Sequence, residues 1–316
     1  MNPQVLGVIC VVSAMLIFIG NDASIKYLSG DYPIHQLVFT RTLVALVITL
    51  TIARFDGGLA GLKTRRPWLH LTRGMLIVGA NLTYFLSLAV MPIANTMALF
   101  FIAPLFITML SAFFLKEQVG FRRWIGVLIG LSGMLIMVGP QGGSLQLVAM
   151  LPVAAALCYA TMQMLTRIMA ATDRATAMAF YIQLSFLCVS SGLGLFLGDG
   201  RYAGHDDATL EFLFRAWQKP ESGHLLLMIL SGLCVGLGGY LLSQGYRVAQ
   251  ASMVAPFEYA ALPWGVAAGF VIWGEVPGTT TWIGIALIVG GGLYVLSRES
   301  VGGRKRPRGY AVRTVR

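Results

Sequence analysis

The side chains of this sequence best able to do chemistry are ionisable groups set inside long apolar runs. Glu258 lies about seven residues into the run 251–273, roughly 10 Å from its start at 1.5 Å per residue. A carboxylate at that depth in an apolar medium needs a partner, water or a bound solute. Either it binds a solute cation or cycles a proton, or it is a structural acid bonded to a neighbouring helix. Asp22 and Lys26 stand four apart near the end of the first run, so they share a helix face and can neutralise one another. They form a structural pair or an outer gate. Arg41 lies at similar depth in the second run and is a candidate partner for Asp22, which would hold that side closed.

Neutral polar groups in the same runs are Asn21, Asn81, Tyr84, Tyr159, Gln163, Gln183, Tyr240, Gln244 and Tyr259. Tyr159 and Gln163 are one helical turn apart, as are Tyr240 and Gln244, so each pair projects from one face. Hydrogen bonds between helices explain such faces. So does a polar cavity, and with Tyr259 and Trp264 close in sequence it would suit a zwitterion with an apolar side chain. The candidate substrate-binding set is therefore Glu258, Tyr259, Asn81, Tyr84, Tyr159, Gln163, Tyr240, Gln244 and Trp264, with Asp22, Lys26 and Arg41 as gating or coupling residues.

No catalytic residue, metal site or cofactor is implied. The sequence has no Walker-type glycine loop, HExxH or CxxC. Cys10, Cys158, Cys188 and Cys234 sit singly in apolar runs and read as small hydrophobes. His35, His70, His205 and His224 are scattered near run ends or in loops.

The elements that must position these groups are set by composition. Of 316 residues, 57% are hydrophobic and 11% charged, with mean hydropathy +0.75. A soluble domain carries about 25% charged residues, so lipid is the solvent for most of this chain. A span needs roughly 20 apolar residues. That criterion predicts an all-α membrane protein of ten helices: 5–28, 34–54, 69–90, 93–115, 122–139, 146–168, 175–198, 224–248, 251–273 and 280–297. The first run is too long for a signal-peptide core and lacks a cleavage motif, so it reads as a retained helix. Met91-Pro92 divides the third from the fourth, because proline is best tolerated in a helix's first turn.

The chain repeats itself. Lys116-Glu117 through Gly133 aligns without a gap on Gly274-Glu275 through Gly291, matching Glu117 to Glu275 and Trp124-Ile125-Gly126 to Trp282-Ile283-Gly284. Tyr84-Phe85-Leu86-Ser87 matches Tyr240-Leu241-Leu242-Ser243 more weakly. Two units follow, 1–140 and 145–298, with a basic disordered tail at 299–316. Five helices is an odd number, so the second copy enters the membrane inverted. Charge placement agrees. With a cytoplasmic amino terminus, most of the 23 Lys and Arg fall on the cytoplasmic side, among them Arg54, Lys63, Arg65, Arg66, Arg122, Arg123, Arg167, Arg174 and the tail run Arg304-Lys305-Arg306. The 199–223 loop opposite is acid-rich. The net charge of +10 is thus topogenic and implies no nucleic acid. In that loop Leu210, Leu213, Phe214 and Trp217 recur at helical spacing, as in a short interfacial helix or a lid. Gly126-x-x-x-Gly130 and Gly232-x-x-x-Gly236 allow close helix approach, within one chain or between two copies. The oligomeric state is left as monomer or homodimer.

Glu117 followed by Trp124-Ile125-Gly126, and Ala255-Pro256-Phe257-Glu258-Tyr259 followed by Trp264, Gly274-Glu275-Val276-Pro277 and Gly284, resemble the two EamA repeats of ten-helix drug/metabolite transporters. Arg41 in Phe39-Thr40-Arg41-Thr42 fits that family's second helix. The resemblance spans about residues 5–298. It implies helices one to four and six to nine around a central cavity, with five and ten packed outside, and alternating access at a site between the repeats.

The function expected first is export of amino acids or similar small metabolites across the inner bacterial membrane, both termini cytoplasmic, as in YddG-like exporters. Uptake of a nucleotide-like or cofactor solute, of the S-adenosylmethionine or riboflavin type, is the alternative. An intramembrane lipid enzyme would have to use Asp22, Lys26, Arg41 and His35, and assay of lipid products tests it. A membrane receptor or assembly subunit is eliminated by solute flux in liposomes.

Overall fold

Prolines mark several of the helix starts and breaks of this chain, although Pro152 is carried within a continuous helix. The computed structural model describes residues 3–55, 58–114, 121–138, 144–169, 172–249 and 254–302. Twelve α-helices order them: α1 (Pro3–Leu28), α2 (Ile34–Phe55), α3 (Pro67–Leu88), α4 (Ile93–Phe100), α5 (Ala103–Phe114), α6 (Phe121–Val138), α7 (Ser144–Met169), α8 (Ala175–Leu197), α9 (Ala208–Phe214), α10 (Ser222–Val248), α11 (Ala261–Trp273) and α12 (Thr279–Gly302). Two 3-10 turns, Leu59–Leu62 and Ala255–Ala260, are interposed. No strand occurs among the described residues. Seven stretches are long and apolar enough to cross a membrane, and three shorter apolar helices, Trp124–Met137, Phe257–Trp273 and Thr279–Gly291, accompany them.

Pro67 opens α3 in its first turn, and Pro92 caps α4 as expected from Met91-Pro92. The fourth run departs from the continuous helix expected at 93–115. It breaks at Phe101-Ile102 because Pro104 has no N–H for the Phe100 carbonyl and its ring crowds that oxygen. The ninth run likewise opens as a 3-10 turn, with Pro263 unable to bond back to the Tyr259 carbonyl. The two breaks face each other, with the Phe101 and Tyr259 rings 5.8 Å apart between centroids.

Helices pair as α1 with α10, α3 with α7, α2 with α8 and α10, and α6 with α12. With no water to drive association, close van der Waals approach must hold them. Gly232 and Gly236 let α10 lie against Val44, Ala45 and Ile48 of α2, so this glycine pair serves packing within the chain. Between α6 and α12 the contacts are reciprocal. A Cβ on Gly133 would lie 2.9 Å from the Gly284 carbonyl oxygen, and one on Gly291 2.5 Å from that of Gly126.

The segment between α8 and α10 forms a strap. Asp207 caps α9 by accepting from the Thr209 and Leu210 amides. The expected apolar face is corrected. Phe212 is the buried residue, Leu210 is exposed, and Trp217 lies beyond the helix. Its indole N–H donates to His35 Nδ1 and its ring stacks on that imidazole. Arg215 donates to the Ser29 carbonyl (3.1 Å), the Gln218 amide to Gln36 (3.0 Å) and the Glu221 amide to Tyr32 (3.2 Å). Glu117 and the tail 303–316 lie outside the described residues.

Candidate functional site

A cavity of about 190 Å³ opens between α1, α2, α3, α4, α7, α8, α10 and the turn before α11. No described residue of α6 or α12 lines it. The apolar part of its wall includes the rings of Phe18, Phe85, Phe100, Phe101 and Phe186 and the thioethers of Met15, Met97 and Met162. Polar groups enter it in three clusters.

The first joins α1, α2, α3 and α10. The Asn21 amide donates to Asp22 Oδ1 (2.9 Å) and the Tyr84 hydroxyl to Asp22 Oδ2 (3.0 Å). Arg41 donates to Asn21 Oδ1 (2.9 Å) and to Asn81 Oδ1, and Ser231 adds a 2.7 Å bond to Asn21. The guanidinium lies 5.0 Å from the Phe85 ring and 5.6 Å from the Phe186 ring, where ring quadrupoles favour a cation. Asp22 and Arg41 are thus linked through Asn21.

The second cluster is built on the broken ninth run. Glu258 is 1% exposed. Its Oε1 accepts from Tyr159 (3.1 Å) and from Tyr246, while Gln163 donates to the Tyr159 oxygen (2.7 Å). A buried carboxylate requires such donors. In the third cluster, Arg73 donates to Thr166 Oγ1 (2.6 Å) and to the Met178 carbonyl (3.0 Å). Beside it, His70 Nε2 lies 3.1 Å from Asp173 Oδ1. Burial pushes the Asp173 carboxyl up, but hydrogen bonds from Thr172, His70 and Thr64 outweigh it and hold the group below its ordinary value.

A model of the EamA-like transporter family matches residues 5–139. A riboflavin transporter of Vibrio cholerae is 30% identical over 90% of this chain and 90% of its own length. The chain belongs to the EamA-like transporter family. A riboflavin transporter of Rhizobium johnstonii is 29% identical over 77% of this chain and 74% of that protein. An S-adenosylmethionine uptake transporter of Rickettsia prowazekii is 23% identical over 88% of each. One crystal structure superposes with a TM-score of 0.67 at 19% identity, covering 95% of this chain and 99% of that one, which speaks to the fold alone.

In this EamA-like transporter the cavity gathers Glu258, Asn81, Tyr84, Tyr159, Gln163, Asp22 and Arg41 from the sequence candidates. The others lie elsewhere. Trp264 is 59% exposed on the outside of the bundle. Tyr259 is buried against Phe101, its hydroxyl without a hydrogen-bond partner among the described residues. Tyr240 and Gln244 do not line the cavity, and Gln244 accepts from Arg247 (3.4 Å). The face of α10 toward the cavity carries Val235, Gly239, Leu242 and Ser243, and Tyr246 continues that spacing. Tyr240 and Gln244 are each one residue, about 100°, off it. The expected Asp22–Lys26 pair is also corrected. Lys26 Nζ instead bonds Glu275 Oε1 (2.6 Å) and the Met91 carbonyl (2.9 Å), and Glu275 Oε2 accepts the Ile93 amide (3.0 Å). Two bonds to well-placed acceptors outweigh one contact at i,i+4, which is worth only a few tenths of a kcal/mol.

Sequence reasoning missed Tyr246, Arg73 and Glu275 as partners. Tyr246 was detectable from the Gly239, Ser243, Tyr246 spacing. Arg73 stands close to the start of its run, where a basic residue fits the positive-inside pattern and nothing in the spacing marks a partner.

Proposed function

We propose that the chain takes up riboflavin or a closely related planar, neutral heterocycle by alternating access. The observation that carries this is the chemistry of the cavity. Phenyl and phenol rings enter its wall from α1, α3, α4, α7 and α8, and its ionisable residues, Asp22 and Glu258 against Arg41 and Arg73, sum to zero formal charge. A neutral flat solute with one polar edge matches rings plus carboxamides. A net cation such as S-adenosylmethionine finds no charge in surplus. A free amino acid finds both acids and both arginines already engaged by protein groups. The names of the relatives from Vibrio and Rhizobium support the same solute, and that of the Rickettsia uptake transporter supports the inward direction. They shift the balance from the amino-acid export expected first to its uptake alternative.

The machinery is two inverted five-helix repeats making ten spans in the inner membrane, with both termini in the cytoplasm. The reciprocal Gly133–Gly284 and Gly291–Gly126 contacts support the repeat, because residues matched in the repeat exchange places across a pseudo-two-fold. The positive-inside distribution supports the orientation. On that orientation the Lys26–Glu275 bond and the strap close the outer end.

Radiolabelled riboflavin flux into liposomes holding the pure protein tests this. Saturable uptake competed by flavins and not by amino acids is expected. Saturable amino-acid flux without riboflavin flux overturns it in favour of the exporter.

A further inference from the structure

The carboxamides in the cavity wall are not equivalent. Asn21, Asn81 and Gln163 each spend hydrogen bonds on neighbouring protein groups. Gln183 on α8 is 3% exposed, lines the cavity, and makes no hydrogen bond among the described residues, with its Oε1 buried and no donor beside it there. Buried amide oxygens are seldom left unpaired, because burial removes their bonds to water. Gln183 is also well supported as a reader. Phe186 stands three residues on, on the same face of α8, and Arg41 lies 5.6 Å from that ring. A planar solute stacked on Phe186 would bring its edge beside the Gln183 amide.

We infer that Gln183 is the specificity-determining residue of the cavity, reading in bidentate fashion the edge of a cyclic imide or lactam. A carboxamide offers an acceptor and a donor side by side, which is the complement of an N–H next to a C=O; amide side chains read adenine edges in this way. The terminal torsion of Gln is broad, so the amide can turn to present either order. The isoalloxazine ring of riboflavin carries such an edge at N3–H and its flanking carbonyls, as do uracil and pteridinedione rings. Solutes whose polar groups are only hydroxyls or carboxylates lack it. This rests on the reading of the solute as a flavin-like heterocycle and adds which edge is recognised.

The test is equilibrium binding to the full chain in lipid nanodiscs, read by quenching of flavin fluorescence. Riboflavin is compared with N3-methylriboflavin, which keeps ring and side chain and loses the imide N–H. Methylation is expected to weaken binding about ten-fold or more, as a site built around a hydrogen bond rejects an analogue lacking it. Gln183→Leu should weaken riboflavin to a similar degree and abolish the discrimination. Equal affinity of the two flavins for the unaltered protein overturns the inference and leaves the transport reading standing. That comparison needs no variant, so misfolding of Gln183→Leu does not blunt it. If neither flavin binds, the flavin reading falls. Thermal shifts with uridine, lumazine and their N3-methyl forms then decide the edge. Stabilisation that methylation removes upholds the role of Gln183, and no stabilisation by any of them overturns it.

Discussion

The Glu258 carboxylate draws two phenol donors onto one oxygen, and one of those phenols is itself held by Gln163. Removing a donor leaves a buried acceptor short. Measured hydrogen bonds within membrane proteins average about 0.6 kcal/mol and reach about 1.7, so Tyr246→Phe should cost about 1 kcal/mol in detergent-unfolding assays. The Asp22–Arg41 link makes a sharper case. Because the hydrogen-bonded link runs through Asn21, a double-mutant cycle on Asp22 and Arg41 should show coupling of about 1 kcal/mol that falls in an Asn21→Ala background to the through-space attraction of the two charges. Coupling unchanged by Asn21→Ala would remove Asn21 from the link. Trp264→Phe, on the lipid-facing side, should leave solute flux unchanged.

At the scale of elements, the Lys26–Glu275 bond ties the end of α1 to the turn before α12 and, through the Ile93 amide, to the first turn of α4. The pair is 10% and 22% exposed at its side chains, between the surface case worth about 0–1 kcal/mol and the buried case where breaking costs about 3–5. Glu275→Gln is expected to destabilise this end by about 1–2 kcal/mol. The combined Lys26→Glu and Glu275→Lys exchange should recover part of that in thermal unfolding. The strap has its own pH dependence. The Gly204 and His205 amides donate to Glu211 and hold its carboxyl below the ordinary value. A depressed folded-state pKa stabilises above the unfolded value of about 4.3, and the benefit is lost as pH falls through the folded value. Cleavage of the 199–221 segment by an acid-active protease should therefore accelerate as pH drops below about 4, and Glu211→Gln should flatten that dependence.

Across the whole molecule, the cavity and the α6–α12 pair are separate constructions. The cavity is lined by helices that carry polar groups, while α6 and α12 meet through glycines and none of their described residues lines it. A side chain at Gly133 has nowhere to go but into Gly284 and Leu287. Gly133→Val should cost about 1–3 kcal/mol through overpacking and leave the affinity for the transported solute unchanged.

Apolar length, proline position and the Glu117/Glu275 repeat were legible in the chain because each acts locally or by plain comparison of one stretch with another. They gave the helices, the Met91-Pro92 break and the family likeness. Cavity membership was only half legible. Tyr159 and Gln163 were found because a polar face in an apolar helix has to point inward, whereas Tyr240 and Tyr246 share one helix and only its rotation against α2 and α1 selects between them. The fourth-run break was written in Pro104, yet apolar length masked it. Partner choice was not readable at all. Lys26 had a near acid at Asp22, and it took the approach of a turn 249 residues away to offer Glu275 with better geometry. Depth and periodicity are properties of one helix. Which side chain meets which is fixed by how two helices are rotated against each other, and that is decided only when the bundle closes.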